Sequence, residues 1–234
     1  MGTIIAVEGT DGSGKETQSR RLEKALLERG LPVRRLSFPR YEDEASVFIR
    51  RYLGGEYGDR PDDVAPAAAS LFYALDRYDA FMREFGEFYN DGGILITDRY
   101  TTSNMIHQAS KIAGADQREK FLTWLEKTEY EQLGIPKPDL VFYLDLPPEV
   151  SKMLIDARAE KTGEAEDIHE ADPEYLARAA ESADGLIRRC GWTKIDCVDA
   201  GKLRSIDDIG TELTEKTLAF LETKDDSGGA DHVR

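Results

Sequence analysis

The stretch VEGTDGSGKETQ, residues 7 to 18, restricts the fold more than any other part of the chain. It follows the apolar run TIIAVEG, precedes a segment with helical spacing, and places Gly9, Gly14 and Lys15 in the pattern G-x-x-x-x-G-K. Glycines let a backbone curl until several N–H groups face one point, and a lysine beside them adds positive charge. With a strand closing at Gly9 and a helix opening at Lys15, the helix N-terminus converges on the same point and makes an anion cradle. A turn that merely links strand to helix is the blander reading, and the flanking context disfavours it. Gly9, Gly12, Ser13, Gly14, Lys15, Glu16 and Thr17 are therefore the candidate phosphate-binding residues. Glu16 stands where Ser or Thr usually offers Mg²⁺ a hydroxyl. Two readings of it stand: an outward first-turn acid favoured by the helix dipole, which is preferred, or a metal contact through water. On the first reading Thr17 is the nearest hydroxyl for a phosphate.

Four further runs are strand-like, VRRLSF, GILITD, DLVFYLDL and KIDCVDA, and helical or loop patterns separate them. That alternation predicts an α/β fold, a parallel sheet covered by helices. Helices are expected at about 16–29, 66–89, 102–113, 116–131, 173–190 and 205–223; in the second, Leu71, Ala74, Leu75, Tyr78, Met82 and Phe85 recur at helical spacing. Between Arg158 and Pro173 the apolar periodicity disappears, so about 156–173 reads as a mobile flap or an ordinary surface loop. Residues 1–223 are expected to form one domain, and the polar tail 224–234 to be disordered.

The chain's 234 residues carry a net charge of −15, which argues against a nucleic-acid backbone as partner. No apolar run approaches the roughly 18 to 20 residues of a membrane span, and the first residues lack a basic leader and a cleavage site. A cytoplasmic protein with no membrane role is expected. Cys190 and Cys197 have no metal-ligand spacing and are expected to be small buried hydrophobes.

Parallel sheets bind ligands at the carboxyl ends of their strands. Asp98 closes the third run and is a candidate for holding Mg²⁺, in part through water, although an acid there also caps helices. Arg40, in FPRY, and Arg99, in DRY, follow the second and third runs. A lone strand-end arginine is as often an ion-pair partner, but two beside a phosphate cradle point to a second anionic ligand.

The motifs IIAVEGTDGSGK, FPRY, YALDR, DRYTTSN and GIPKPDLVFYLDLPPE occur in an order and at separations that resemble the thymidylate kinase family. The resemblance covers most of residues 3–149 and implies a three-layer P-loop kinase fold with a five-stranded parallel sheet flanked by helices. It implies transfer of the ATP γ-phosphoryl group to dTMP with Mg²⁺ as cofactor, and a homodimer through the long helices. By the same resemblance Lys15, Asp98 and Arg99 are catalytic, Asp11 contacts the deoxyribose 3′-hydroxyl, and Arg40 and Arg99 grip the dTMP phosphate. Phe38 belongs to the dTMP-binding set, Tyr73 falls at the base, Arg77 and Asn104 at its polar edge, and Ser103 and Gln108 at neighbouring pocket positions. Helical spacing independently puts Tyr73 and Arg77 on one face, while Phe72 is free for core packing.

The chain also departs from the family. His107 stands where relatives carry an aromatic near the sugar, or is simply a satisfied surface histidine; His169 and Glu170 occupy flap positions and receive no role. The phosphate loop contains no arginine, so the family's catalytic cation falls to the flap, where Arg158 is the candidate and Lys161 the nearby lysine. Arg158 as a solvated helix-end charge is the competing reading. The loop DAGKLRSID lies where such folds hold adenine. The rival functions are a nucleoside or nucleoside-monophosphate kinase of different base choice, and a non-catalytic nucleotide-binding switch.

Overall fold

The structure, a computed structural model, describes residues 1–162 and 167–228, the side chains of 156, 158–162 and 225–228 excepted. In chain order its elements begin with β1 (Thr3–Gly9), α1 (Lys15–Leu27), β2 (Val33–Ser37), α2 (Val47–Leu53), α3 (Pro66–Ala80), α4 (Gly86–Asn90) and β3 (Ile94–Asp98). They continue with α5 (Thr101–Ala109), α6 (Ala115–Glu126), β4 (Leu140–Asp145), α7 (Pro148–Thr162), α8 (Pro173–Cys190), β5 (Thr193–Asp196), β6 (Val198–Asp199), β7 (Lys202–Leu203) and α9 (Ile206–Gly228).

Five strands pair in the order β2-β3-β1-β4-β5, each pair parallel. β1 lies at the centre and is buried along its whole length, as a strand covered on both faces must be. Its alternation sorts the two faces. Ile5 and Val7 join Leu22 and Leu26 of α1 and Ile209 and Leu213 of α9 on one side. Ile4 and Ala6 meet Ala80 of α3, Phe38 and Phe85 on the other. Helices α5, α6 and α8 share a third cluster, and α2 packs Ile49, Tyr52 and Leu53 over Ala69 of α3.

The helix expected at 66–89 is interrupted. A π-turn at Phe81–Phe85 separates α3 from α4, with the Gly86 N–H bonded to the Phe81 carbonyl. A Cβ at Gly86 would lie 2.4 Å from that oxygen, so the register slip needs glycine there. A second π-turn, Lys127–Gln132, ends the helix expected at 116–131. The run KIDCVDA divides into β5 and the first strand of the β6–β7 hairpin, which turns through Ala200 and Gly201 at positive φ.

Helix α9 runs to Gly228, past the boundary expected at 224. Its Lys224 donates to the Asp139 carboxylate at 2.8 Å and to the Thr3 hydroxyl at 3.0 Å, which ties this turn to the sheet. Residues 229–234 lie outside the described residues. The expected flap is helical through Thr162, its residues 163–166 lie outside the described residues, and residues 168–171 form a turn whose Ile168 N–H bonds the Leu53 carbonyl of α2 at 3.3 Å. Cys197 is buried as expected, whereas Cys190 ends α8 and is exposed. Among the described residues no helix is long and apolar enough to cross a membrane.

Candidate active site

Gly9, Gly12 and Gly14 all adopt positive φ, which curls the chain between β1 and α1. Side chains would also collide there: a Cβ on Gly9 would meet Ser13 Oγ at 2.6 Å and the Leu144 carbonyl at 2.8 Å. Gly14 occupies the N-cap of α1 without a side-chain cap, leaving the first-turn N–H groups turned toward the loop. Lys15 folds back over the cradle, its Nζ 2.7 Å from the Thr10 carbonyl and 3.6 Å from Asp11. Burial and the neighbouring Arg99 push its pKa down. Thr10 Oγ1 and Ser13 Oγ are buried without a hydrogen-bond partner. Buried hydroxyls of this kind fit a site completed by an oxyanion. Glu16 turns outward and pairs with Arg20 at 2.7 Å on the surface, and Thr17 is exposed.

The corner from β3 into α5 carries the next group. Asp98 is buried, and burial pushes its carboxyl up against the opposing charges of Lys15 and Arg99. Arg99 follows with φ 62, an unusual backbone for a side-chain-bearing residue. Its guanidinium bonds Asp11 and lies 3.3 Å from His107 Nε2. Burial alone would raise the Asp11 carboxyl, but Arg99 and then Lys15 hold it well below the usual range.

Glu8 supports this corner from beneath and went unnoticed in the sequence. It is fully buried and accepts from the Tyr100 N–H at 3.0 Å and from the Thr102 and Ser103 hydroxyls, each at 2.6 Å. The only sequence signal was an acid inside an apolar strand.

A cavity of about 630 Å³ opens beside the phosphate loop. Asp11, Phe38, Tyr73, Arg77, Arg99, Ser103, Asn104 and Gln108 all line it, so the structure brings together residues scattered over almost a hundred positions. Phe38 stands edge-on to Phe85, and Phe72 packs away from the cavity on Phe48. Gln108 is completely buried, and neither its oxygen nor its nitrogen has a partner. At the deep end Arg77 forms a two-pronged pair with Glu129, Nε at 2.8 Å and Nη2 at 2.7 Å. Asn104 Nδ2 donates to the same carboxylate at 2.8 Å and to the Ser70 carbonyl at 3.0 Å.

His107 and His169 face each other across the wall, rings nearly parallel with centroids 5.8 Å apart, both beside Tyr175. Burial first and Arg99 second pull His107 down to about 3, so its ring is neutral at ordinary pH. His169 Nε2 bonds the Tyr52 hydroxyl at 2.9 Å, which Lys111 also reaches at 2.8 Å. Asp167, another lining residue, is pushed up to about 6 by burial.

Arg40 is the exception among the expected residues. It does not line the cavity, because acids on α3 and beyond claim it: Nε meets Asp76 at 2.9 Å, Nη2 meets Asp79 at 2.8 Å, and Nη1 meets Glu84. The Arg40 N–H also bonds Asp76 at 3.0 Å, so the residue clasps the loop after β2 to α3. Arg50 of α2 and Tyr41 line the cavity instead, neither of them singled out in the sequence. Arg158 lies on α7, but its side chain, like that of Lys161, is outside the described residues. Among the described residues no group of three or more His, Cys, Asp or Glu could hold a metal ion alone. A Mg²⁺ shared by one carboxylate, nucleotide phosphates and water needs no such group, and the buried Asp98 beside Lys15 suits it.

Comparison with known proteins agrees with this geometry. The thymidylate kinase family model matches residues 7–203. The Mycobacterium tuberculosis thymidylate kinase is 35% identical over 191 residues, covering 81% of this chain and 87% of the relative. A probable thymidylate kinase of Pyrobaculum aerophilum is 33% identical, covering 79% and 86% of the two chains. The human thymidylate kinase is 32% identical over 146 residues, covering 62% and 61%. A strand–loop–helix cradle, an arginine corner beside it and a match across residues 7–203 together place this chain in the thymidylate kinase family.

Proposed function

We propose that the protein transfers the γ-phosphoryl group of ATP to dTMP, giving dTDP and ADP. One observation carries the reading: the phosphate cradle and the cavity of about 630 Å³ meet at Asp11, which pairs with Arg99 on one side and Lys15 on the other, so two phosphorylated ligands would face each other there. A switch protein has no use for the second pocket. Related kinases of different base choice fit the deep end less well, because its polar groups suit a pyrimidine edge.

In the reaction a phosphate oxygen of dTMP attacks the γ-phosphorus, that P–O bond forms, and the bond to the β-phosphate oxygen breaks with its electrons leaving on ADP. The acceptor is already ionised, so no protein base is needed and the work is positioning and charge balance. Lys15 and the first-turn N–H groups of α1 hold the donor phosphates, with the Thr10 and Ser13 hydroxyls available to them. Asp98 would hold Mg²⁺, which would supply positive charge to the donor phosphates. Arg99 aligns the acceptor phosphate, Asp11 takes the sugar hydroxyl, and Tyr73, Arg77 and Asn104 take the base. Arg50, which lines the cavity and whose Nη1 bonds the Tyr41 and Asp43 carbonyls, is assigned as a second acceptor-side cation, with Arg40 as the alternative should its ion pairs with α3 open. The flap cation is assigned to Arg158, the adenine to the β6–β7 hairpin, and the location to the cytoplasm.

A homodimer forms through α2, α3 and the π-turn after it, where Phe48, Leu71, Leu75, Tyr78 and Met82 are exposed together.

The test is product analysis after incubation with MgATP and, separately, dTMP, dUMP, AMP and CMP. Equal amounts of dTDP and ADP from dTMP, absent with Lys15→Ala, are expected. ATP hydrolysis without any nucleoside diphosphate from an acceptor would favour the switch reading instead.

A further inference from the structure

We infer that Glu129, a residue outside the cavity wall, sets the donor–acceptor order with which the pocket reads a pyrimidine and thereby selects a 4-oxo base over a 4-amino base. The inference rests on the proposed binding of the base at Arg77 and Asn104. Glu129 is 1% exposed and sits on the π-turn after α6, where the slipped register turns it inward against α3 and α5. Its Oε1 accepts from Asn104 Nδ2 at 2.8 Å and from Arg77 Nη2 at 2.7 Å, and its Oε2 accepts from Arg77 Nε at 2.8 Å.

These bonds determine what each reader can offer. A carboxamide nitrogen has two hydrogens, and those of Asn104 are taken by Glu129 and by the Ser70 carbonyl at 3.0 Å. Rotating the amide would set its oxygen against two oxygens, so the orientation is fixed by the partners. Asn104 therefore has only an acceptor, Oδ1, left for the cavity. Arg77 commits Nε and one hydrogen of Nη2 to Glu129, leaving the second Nη2 hydrogen and Nη1, 3.5 Å from the Tyr100 carbonyl, so that donors are all it can present. An acceptor beside a donor complements N3–H beside O4, the edge of thymine and uracil. Cytosine offers an acceptor at N3 and a donor at N4, so each group meets its like, which is costly in a buried site. Glu129 would touch no ligand and acts through Asn104 and Arg77 as a positioning residue.

The experiment measures kcat/KM for dTMP and dCMP with the wild type, Glu129→Gln and Glu129→Asp. Each selectivity is a ratio within one preparation, so a reduced folded fraction cancels. In Glu129→Gln the new amide can keep its oxygen for Arg77 Nε only by presenting its Nε2 to Asn104, which leaves the Ser70 carbonyl as the one acceptor still fixing the Asn104 amide. The dTMP preference is expected to fall roughly tenfold or more, mainly through a raised KM for dTMP, with the KM for ATP unchanged. Glu129→Asp keeps a carboxylate and should keep the preference. An unchanged ratio in Glu129→Gln, including equal loss on both substrates, would overturn the role of Glu129 while leaving the base-binding reading intact. A wild type that does not prefer dTMP to dCMP would overturn that reading and the inference with it. Should Glu129→Gln fail to fold, wild-type binding of N3-methyl-dTMP decides: loss of binding is expected, because a methyl group would meet Oδ1, and affinity equal to that of dTMP would refute the inference.

Discussion

Arg99 combines backbone strain with charge. A non-glycine residue at φ 62 costs about 1–3 kcal/mol unless its surroundings impose it, and such residues cluster at functional sites. Here Glu8 imposes it by holding the next turn at Tyr100, Thr102 and Ser103. Lys15 and Arg99 were singled out from local motif context and Asp11 and Asn104 through the family resemblance, and the structure gathers Asp11, Arg99 and Asn104 around one cavity with Lys15 3.6 Å from Asp11. Glu8 and Glu129 were not singled out, since their partners lie 92 to 95 and 25 to 52 positions away and no local pattern records them. Arg40 shows the reverse: its motif suggested a phosphate grip, but Asp76, Asp79 and Glu84 hold it outside the cavity. His107 yields a prediction of its own. Its folded-state pKa, about 3, lies below the ordinary 6.5 because of burial and Arg99. Between those two values the unfolded chain binds a proton that the folded protein refuses, so its contribution to stability is lost as pH falls through that window. NMR of the His107 ring should show no titration between pH 5 and 8. A midpoint near 6.5 would contradict the packing described around it.

At the scale of elements, strand positions followed from apolar runs and six helices from their spacing, whereas α2 (Val47–Leu53) and α7 (Pro148–Thr162) were not expected and two of the expected helices change register. A period of 3.6 residues looks continuous through a π-turn, so the breaks at Phe81–Phe85 and Lys127–Gln132 left no mark on the pattern. The first break carries its own signal in Gly86, whose missing Cβ admits the Phe81 carbonyl. Gly86→Ala should destabilise the protein by about 1–3 kcal/mol, read from urea unfolding, because the methyl has no room. Destabilisation below about half a kcal/mol would mean the turn relaxes freely. The second break brings Glu129 to Arg77 and Asn104, the residues proposed to read the base, in keeping with the tendency of π-turns to occur at functional sites. Helix α9 extended past its expected end for a tertiary reason, the Lys224 contacts with Asp139 and Thr3, invisible to any local reading.

Over the whole molecule, β1 at the centre of the order β2-β3-β1-β4-β5 brings the ends of β1 and β3 side by side, and both halves of the site grow from those ends. The remaining exposed stripe of Leu71, Leu75, Tyr78 and Met82, with Phe48 beside it, is an apolar face on a chain of net charge −15. Sedimentation should find a dimer, and Leu75→Glu with Met82→Glu should shift it to monomer by placing like charges across the interface. A monomeric wild type at micromolar concentration would remove the dimer from the account. The central claim concerns the second pocket, and calorimetric titration of dTMP into the protein without ATP tests it most directly. One dTMP bound per chain is predicted, with affinity reduced roughly a hundredfold in Arg99→Ala. No heat and no binding of dTMP to the wild type, under conditions where it binds ATP, would contradict the assignment of the cavity as an acceptor site.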